Sequence, residues 1–191
     1  MSVATTREAT ERAAVTVTFL RLEATDPIPP AALPDTVQVV RLARCTVPFY
    51  RYLNATVGGP YLWWIRRTLD DAALHAVLCH PAISVHVLYW GGEPAGMFEL
   101  DARARPVVNL SYFGLMPHAV GHGFGPGFLY TAITAALGEG AQAVTVNTCT
   151  ADHPRALPLY RRMGFRPTRT VREVWDIPVR LGMSIPAHVR V

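Results

Sequence analysis

A glycine-rich segment near the middle of the chain is the strongest chemical signal in the sequence. Glycines occupy alternate positions in the segment 120–127, whose letters are VGHGFGPG, after a predicted strand at Val107–Leu115. A helix is predicted to follow, from about Gly127 to Leu137. Glycines let backbone N–H groups approach a ligand, and a helix N-terminus adds unpaired donors and partial positive charge. The segment therefore predicts an anion site, typical of a pyrophosphate, with a glycine-rich loop that binds nothing as the alternative.

The spacing of these glycines argues against a dinucleotide site. No register of these glycines gives the pattern G-x-G-x-x-G, since residues such as Pro126 and Phe128 stand where its third glycine would be. That fold also places an acidic residue at the end of its second strand, whereas the corresponding strand here ends in Asn147–Thr150. A different pyrophosphate-containing ligand is therefore favoured.

A second motif lies about 35 residues downstream. The turn around Gly123-Phe124-Gly125 resembles the Q/R-x-x-G-x-G/A signature of the GNAT superfamily of N-acetyltransferases. The run from Leu159-Tyr160 to Gly164-Phe165 is similar to the L-Y-x-x-x-G-F ending of that superfamily. Two motifs in the right order are more specific than either alone, and the resemblance covers roughly Ile83–Val174. It implies a GNAT fold and acetyl-CoA as co-substrate.

The resemblance also implies a set of coenzyme-binding residues. Backbone groups of Leu115 and Met116 would face the pantetheine and the thioester. Backbone amides would bind the pyrophosphate along the run Val120, Gly121, His122, Gly123, Phe124 and Gly125. His153 and Tyr160 complete the implied coenzyme site.

Two of these positions depart from the superfamily pattern. Val120 stands where the signature has Gln or Arg, and His153 stands where many relatives have Asn. Backbone amides are therefore expected to do most of the phosphate binding, with the side chain of His122 as a further contact.

Acyl transfer to an amine needs a proton acceptor for the amine and a proton donor for the departing thiolate. By resemblance, Tyr160 would protonate the sulfur of CoA; a buried tyrosine without a catalytic role is the alternative. Related sequences often carry an acidic residue where this chain has Asn109, so Glu99 on the neighbouring strand is the predicted base. A solvated edge position is the other interpretation of Glu99. Asp152 is the third candidate, although helix N-capping would also explain it.

Composition removes several other classes of enzyme. All eighteen basic residues are arginines, which excludes the P-loop, protein-kinase and pyridoxal chemistries that need a lysine. The three cysteines match neither a disulfide framework nor a zinc site. His118 and His122 are four residues apart but lie beside Pro117 and Gly121, so a regular helix and a metal site are not expected.

The order of the predicted elements indicates one mixed sheet with helices packed on it. The resemblance implies a mixed α/β (α+β) fold in one domain, with a central, mostly antiparallel twisted sheet flanked by helices. Strands are predicted at Val15–Leu22, Val37–Leu42, Ile83–Trp90, Ala95–Leu100, Val107–Leu115 and Val144–Cys149, with a closing hairpin or strand pair over Phe165–Ile177. Helices are predicted around 49–57, 68–78, 127–137 and 157–163, the last with Pro158 either inside it or at its first position.

We expect a flexible leader over residues 1–14 and one acetyltransferase domain over 15–191. Within that domain, residues 15–82 would shape the acceptor site and 83–177 would bind acetyl-CoA. The aromatic segments 49–52 and 61–67 are expected to be mostly core, with a pocket for an acidic or aromatic substrate as the alternative.

The predicted function is transfer of the acetyl group from acetyl-CoA to a primary amine, on a small molecule rather than a peptide, within a ternary complex. We expect a cytoplasmic protein that binds neither membrane nor nucleic acid and needs no metal; a homodimer is left open. The alternatives are a non-catalytic acyl-CoA-binding or regulatory module and a nucleic-acid-binding domain.

Overall fold

The computed structural model describes residues 8–138 and 140–191 and contains one seven-stranded sheet with four α-helices. The strands are β1 (Thr10–Glu23), β2 (Val37–Arg41), β3 (Ile83–Trp90), β4 (Glu93–Asp101), β5 (Val107–Leu115), β6 (Ala143–Cys149) and β7 (Arg166–Pro178). The helices are α1 (Val47–Gly58), α2 (Asp71–Leu78), α3 (Phe124–Gly138) and α4 (Ala156–Arg162). The predicted fold class is confirmed.

The strands are ordered β2-β3-β4-β5-β6-β1-β7. Every neighbouring pair is antiparallel except β5 and β6, which run parallel. The β3–β4 turn is a two-residue hairpin, in which Gly91 and Gly92 have positive φ values of 60° and 89°. Strand β4 therefore begins at Glu93, two residues before the predicted Ala95.

Helices cover both faces of the sheet. The helices α3 and α4 pack on one face and bury Phe98 and Leu100 of β4. The helices α1 and α2 pack on the other face, together with Met97. Residues 97 and 98 point to opposite faces because side chains alternate along a strand. The same alternation places Glu99 on the face that α1 covers.

The N-terminal strand begins five residues earlier than predicted. Residues 10–14 do not belong to a leader, because β1 pairs with β7 from the Thr10–Pro178 pair onward. Residues 1–7 of the predicted leader lie outside the described residues, and the division of the domain at residue 82 stays a prediction.

The predicted closing hairpin or strand pair over Phe165–Ile177 is wrong. The segment after α4 forms one long strand, β7, whose partner is β1 at the other end of the chain. Because the thirteen residues of β7 pair along the fourteen residues of β1, β7 does not have to fold back on itself to find a partner strand.

The first residues of two helices, α3 and α4, differ from the predicted ones. Helix α3 begins at Phe124 rather than near Gly127, so Pro126 falls in its first turn. Helix α4 begins at Ala156, which places Pro158 in the first turn, between the two positions predicted for it. A proline is tolerated there because the first N–H groups of a helix have no partner within the helix.

Candidate active site

The parallel strands β5 and β6 separate partway along their length. They pair only from Val107 to Leu110 on β5 and from Ala143 to Val146 on β6. Opposite β4, the register of β5 shifts between Leu110 and Tyr112, so Ser111 is an extra, bulged residue. Because a bulge bends its strand, β5 turns away from β6 at the point where their pairing ends.

A cavity of about 780 Å³ lies where the two strands part. Residues 109–115 of β5 and 146–149 of β6 form opposite walls. The glycine turn and α4 form a third side, and the segment 61–66 forms a fourth. Beyond Leu110, the edge of β5 that faces β6 has no strand partner, so its backbone groups are available to an extended ligand.

The glycine turn lies at the N-terminus of α3 and lines this cavity through Gly121, Gly123 and Gly125. Gly121 and Gly123 have φ values of 94° and 83°, which strain any residue with a Cβ. A Cβ on either glycine would meet nothing within 4 Å, so the space beside the turn is open. Unpaired helix N–H groups and partial positive charge at this position fit an anion such as a diphosphate.

Tyr160 lies on α4 and lines the same cavity. Its side chain is only 5% exposed and makes edge contacts with Phe113 and Phe165. Among the described residues, its hydroxyl has no hydrogen-bond partner. Burial, followed by the charge of Asp152, raises the pKa of Tyr160 well above its ordinary value. The phenol therefore keeps its proton at neutral pH.

Asp152 also lines the cavity, beyond the end of β6. One of its oxygens, Oδ2, accepts hydrogen bonds from the Thr148 hydroxyl and the Cys149 backbone N–H, both at 2.8 Å. Burial raises the pKa of Asp152 above its ordinary value. The alternative that Asp152 caps the next helix is wrong, because the N-cap of α4 is Arg155.

Glu99 is fully buried rather than solvated at an edge. Its Oε2 accepts a hydrogen bond of 2.6 Å from the Tyr50 hydroxyl, and its Oε1 pairs with Arg66 Nη2 at 2.6 Å. Glu99 is not among the residues that line the cavity, whereas Arg66 is. The Glu99 carboxylate therefore does not line the cavity itself, but it contacts Arg66, which does.

Arg66 connects the buried carboxylate to the cavity wall. Its side chain is 14% exposed, and its guanidinium lies 5.7 Å from the centre of the Tyr112 ring. Two cavity residues, Tyr112 and Trp63, pack together with ring centres 4.9 Å apart. No specific role for Arg66 is predicted from the sequence, because its partners are distant in the chain.

The other predicted coenzyme residues divide into two groups. Leu115, Val120 and His153 line the cavity, and His153 Nδ1 accepts a hydrogen bond from the Arg155 backbone N–H at 3.1 Å. The prediction for Met116 needs correction. Its side chain is 1% exposed in the α1 core, its N–H donates to Ala95, and its carbonyl accepts from Ala119.

His122 and Phe124 do not line the cavity with their side chains. The His122 ring packs against Trp90, with ring centres 4.7 Å apart, and Phe124 is 5% exposed in the core under α3. The predicted imidazole contact is therefore not part of this geometry. A contribution from the backbone amides of both residues stays a prediction.

One wall of the cavity is mostly aromatic. Tyr61, Trp63 and Trp64 line it, together with Trp175 from β7. The rings of Trp64 and Trp175 are 6.4 Å apart. The segment 61–67, expected to be mostly core, thus supplies a wall of the cavity through residues 61–66, and a pocket for an acidic or aromatic substrate stays a prediction.

Across residues 8–138 and 140–191, no three His, Cys, Asp or Glu side chains are grouped so that they could hold a metal ion. Within the same residues, every helix is too short or too polar to cross a membrane.

Comparison with known proteins identifies the family. Residues 48–165, more than half of the chain, match the acetyltransferase (GNAT) family. The chain therefore belongs to the GNAT family, which uses acetyl-CoA as co-substrate. A search of curated proteins finds no match.

Solved structures share the fold at low sequence identity. A GCN5-related N-acetyltransferase from Kribbella flavida superposes with a TM-score of 0.61 and 19% identity, over 87% of this chain and 60% of its own. A GCN5-related N-acetyltransferase from Sphaerobacter thermophilus gives 0.58 and 15%, over 88% and 54%. An aminoglycoside acetyltransferase from an uncultured soil metagenomic sample gives 0.57 and 16%, over 69% and 89%. The chain thus spans less than two thirds of the first two proteins.

Proposed function

We propose that this chain transfers the acetyl group of acetyl-CoA to a primary amine on a small molecule. The observation that carries the proposal is the meeting of three features in one cavity. These are the unpaired edge of β5 beyond Leu110, the glycine turn at the start of α3, and the phenol of Tyr160.

In this proposal the coenzyme is bound mainly by the backbone. The pantetheine amides pair with the unpaired edge of β5 near Leu115, and the diphosphate accepts hydrogen bonds from N–H groups of the turn at Gly121–Gly125. Val120 offers no charge, so Arg155 and Arg162, which also line the cavity, supply positive charge to the CoA phosphates.

Tyr160 is the proposed general acid. When the amine attacks the thioester carbonyl, a C–N bond forms, the C–S bond breaks, and the electron pair of that bond leaves on sulfur. The Tyr160 hydroxyl donates its proton to this thiolate. The phenol carries this proton at neutral pH, because burial raises the pKa of its hydroxyl.

Two carboxylates are candidates for the base that takes the proton from the amine. Asp152 is favoured by position, since it lines the cavity, and its burial raises its pKa above the ordinary value. Glu99, the candidate from the sequence, is one step removed, because Tyr50 and Arg66 occupy its two oxygens. We therefore propose that Asp152 takes the proton from the amine. Glu99 instead holds the side chain of Arg66 in position.

The pH dependence of kcat/KM separates these assignments. Asp152→Asn should lower kcat/KM by about a hundredfold or more and remove the acidic limb of the profile. Glu99→Gln should keep that limb, at a pH close to the wild-type one. Loss of the limb in Glu99→Gln and its retention in Asp152→Asn would reverse the two roles.

The state of the cavity cysteine supports direct transfer without an acyl-enzyme. Cys149 lines the cavity, but burial, followed by the charge of Asp152, raises the pKa of its thiol to about 12. Because the thiolate is the nucleophilic form, Cys149 is poorly suited to carry an acetyl group. We therefore propose that the amine attacks the thioester in a ternary complex.

The aromatic wall favours an apolar or aromatic amine as acceptor. Trp63, Trp64 and Trp175 offer flat apolar surface, and the arginines that line the cavity outnumber its two aspartates. This charge pattern does not favour a polycationic acceptor. An arylalkylamine is thus the first class of acceptor to test.

The decisive assay is release of free thiol from acetyl-CoA across a panel of amines. Arylalkylamines, polyamines, aminoglycosides and a lysine-containing peptide each represent one acceptor class. Release that depends on a small amine supports the proposal. If the protein binds acetyl-CoA and releases thiol with none of them, the chain is better explained as an acyl-CoA-binding module.

A further inference from the structure

A second, smaller cavity lies behind the first, between α1 and the segment that follows β7. Its volume is about 240 Å³. A water molecule occupies roughly 30 Å³ in the liquid, so a small ion with several waters fits this space. Its charged lining residues are all arginines: Arg51, Arg66, Arg67 and Arg180.

Three of these arginines already have an acidic partner. Arg51 pairs with Asp71 at 2.7 Å, and Arg66 pairs with Glu99 at 2.6 Å. The third, Arg180, pairs with Glu8 at 2.5 Å. Their charges are therefore balanced within the protein.

Arg67 is the exception. Within residues 8–138 and 140–191 it makes no ion pair and no side-chain hydrogen bond. Its guanidinium is partly buried, and burial lowers its pKa from the ordinary value. A partly desolvated cation without a counter-charge is unfavourable, and a bound anion would remove this cost.

Asn54 provides a second, independent observation. It lines the same cavity from α1 and is 2% exposed. Neither its Nδ2 nor its Oδ1 has a hydrogen-bond partner in the part of the chain that the structure describes. Buried side-chain amides nearly always form hydrogen bonds in native proteins. The unpaired Nδ2 and Oδ1 of Asn54 therefore indicate that a bound molecule supplies their partners.

We propose that this second cavity binds a small phosphate-type oxyanion between Arg67 and Asn54. The guanidinium of Arg67 and the Nδ2 group of Asn54 donate hydrogen bonds to oxygens of the anion. Asn54 Oδ1 accepts a hydrogen bond from a P–OH group. The proposal goes beyond the acetyl-transfer function and does not depend on it.

The two ends of the Asn54 amide predict a preference between anions. Hydrogenphosphate carries both acceptor oxygens and an O–H donor, so it satisfies both ends of the amide. Sulfate at neutral pH has acceptors only and leaves Oδ1 without a partner. Phosphate should therefore bind more tightly than sulfate of the same charge.

Thermal unfolding in sodium phosphate, with sodium chloride at matched ionic strength as reference, tests the proposal. Phosphate at about ten times its Kd should raise the Tm of the wild type by about 3 °C. Arg67→Gln should weaken phosphate binding about tenfold or more, the loss expected for one charge-assisted hydrogen bond. Arg172→Gln, which removes an exposed arginine of β7, is the matched control and should respond as the wild type does.

A second variant keeps the test decisive if Arg67→Gln folds poorly. Asn54→Leu has nearly the same size and removes the unpartnered amide, so its Tm in chloride should equal or exceed that of the wild type. Its response to phosphate should be lost. A small phosphomonoester, tested in parallel with inorganic phosphate, identifies the source of the anion by its higher or lower affinity.

The proposal is overturned if phosphate leaves the wild-type Tm unchanged up to about 50 mM, a range that covers the weak affinities typical of small ligands. It is also overturned if Arg67→Gln and Asn54→Leu respond to phosphate as strongly as the wild type does. That result would place the anion elsewhere, for example at the glycine turn of the first cavity.

Discussion

Replacing Glu99 by Gln should destabilise the protein strongly, even though the side chain keeps its size. Glu99 is fully buried, and its partner Arg66 is 14% exposed, so the change leaves a largely buried guanidinium without its counter-charge. Breaking a buried ion pair from one side typically costs about 3–5 kcal/mol. For a domain of this size, that cost corresponds to a fall in Tm of about 10 °C.

A second ion pair in the same protein provides the control. Arg51 and Asp71 are also joined at 2.7 Å, but the Asp71 side chain is 80% exposed. Asp71→Asn should therefore cost less than about 1 kcal/mol, the usual range for surface ion pairs. The two variants remove the same kind of charge from pairs of similar length. The pairs differ in burial and in the hydrogen bond that the Tyr50 hydroxyl donates to Glu99.

Thermal and urea unfolding followed by circular dichroism measure both variants, and a double variant completes the experiment. Glu99→Gln combined with Arg66→Met removes both charges, so it should regain much of the stability lost in Glu99→Gln alone. The reasoning is refuted if Glu99→Gln is no more destabilising than Asp71→Asn. It is equally refuted if the double variant is as unstable as the sum of the two single variants.

Three further predictions follow from the environments of single residues. Tyr160→Phe should leave the Kd for acetyl-CoA unchanged in calorimetry and lower kcat by about tenfold or more; an unchanged kcat would remove Tyr160 from the mechanism. Because its pKa is raised in the folded state, Asp152 disfavours folding as pH rises through that pKa, so Asp152→Asn should raise the Tm at pH 7 but not near pH 4. A Tm difference that is the same at every pH would contradict this. Burial and the charge of Arg41 lower the pKa of His86 from 6.5 to about 4, so stability should fall by up to about 3 kcal/mol as pH drops between those values, and His86→Gln should flatten that fall in acid titrations.

The sequence predicts the local elements well because their signals are local. The hairpin at Gly91-Gly92 and helix α2 are set by neighbouring residues, and both elements form. Their bounds differ from the prediction, since β4 begins at Glu93 rather than Ala95 and α2 at Asp71 rather than residue 68. The position of β1 between β6 and β7 depends instead on contacts between distant parts of the chain. Alternation of side chains within one strand gives no information on which strand will be its neighbour.

The candidate site shows the same division. The glycine turn and Tyr160 are predicted from short motifs, and both line the cavity. The burial of Glu99 is different, since its partners Tyr50 and Arg66 are 49 and 33 residues away. No spacing in the sequence indicates that α1 and the segment after it close over β4 to form that contact.

Calorimetric titration with acetyl-CoA tests the central claim most directly, which is that backbone amides of the glycine turn hold the coenzyme. The account predicts saturable binding to the wild type and at least about tenfold weaker binding to Gly123→Val, a loss typical of misplaced charge-assisted hydrogen bonds. Gly92→Val is the matched control, because Gly92 has a similar positive φ and open surroundings but lies in the distant hairpin. Absence of binding heat at millimolar acetyl-CoA, or equal affinity in wild type and Gly123→Val, would contradict the account.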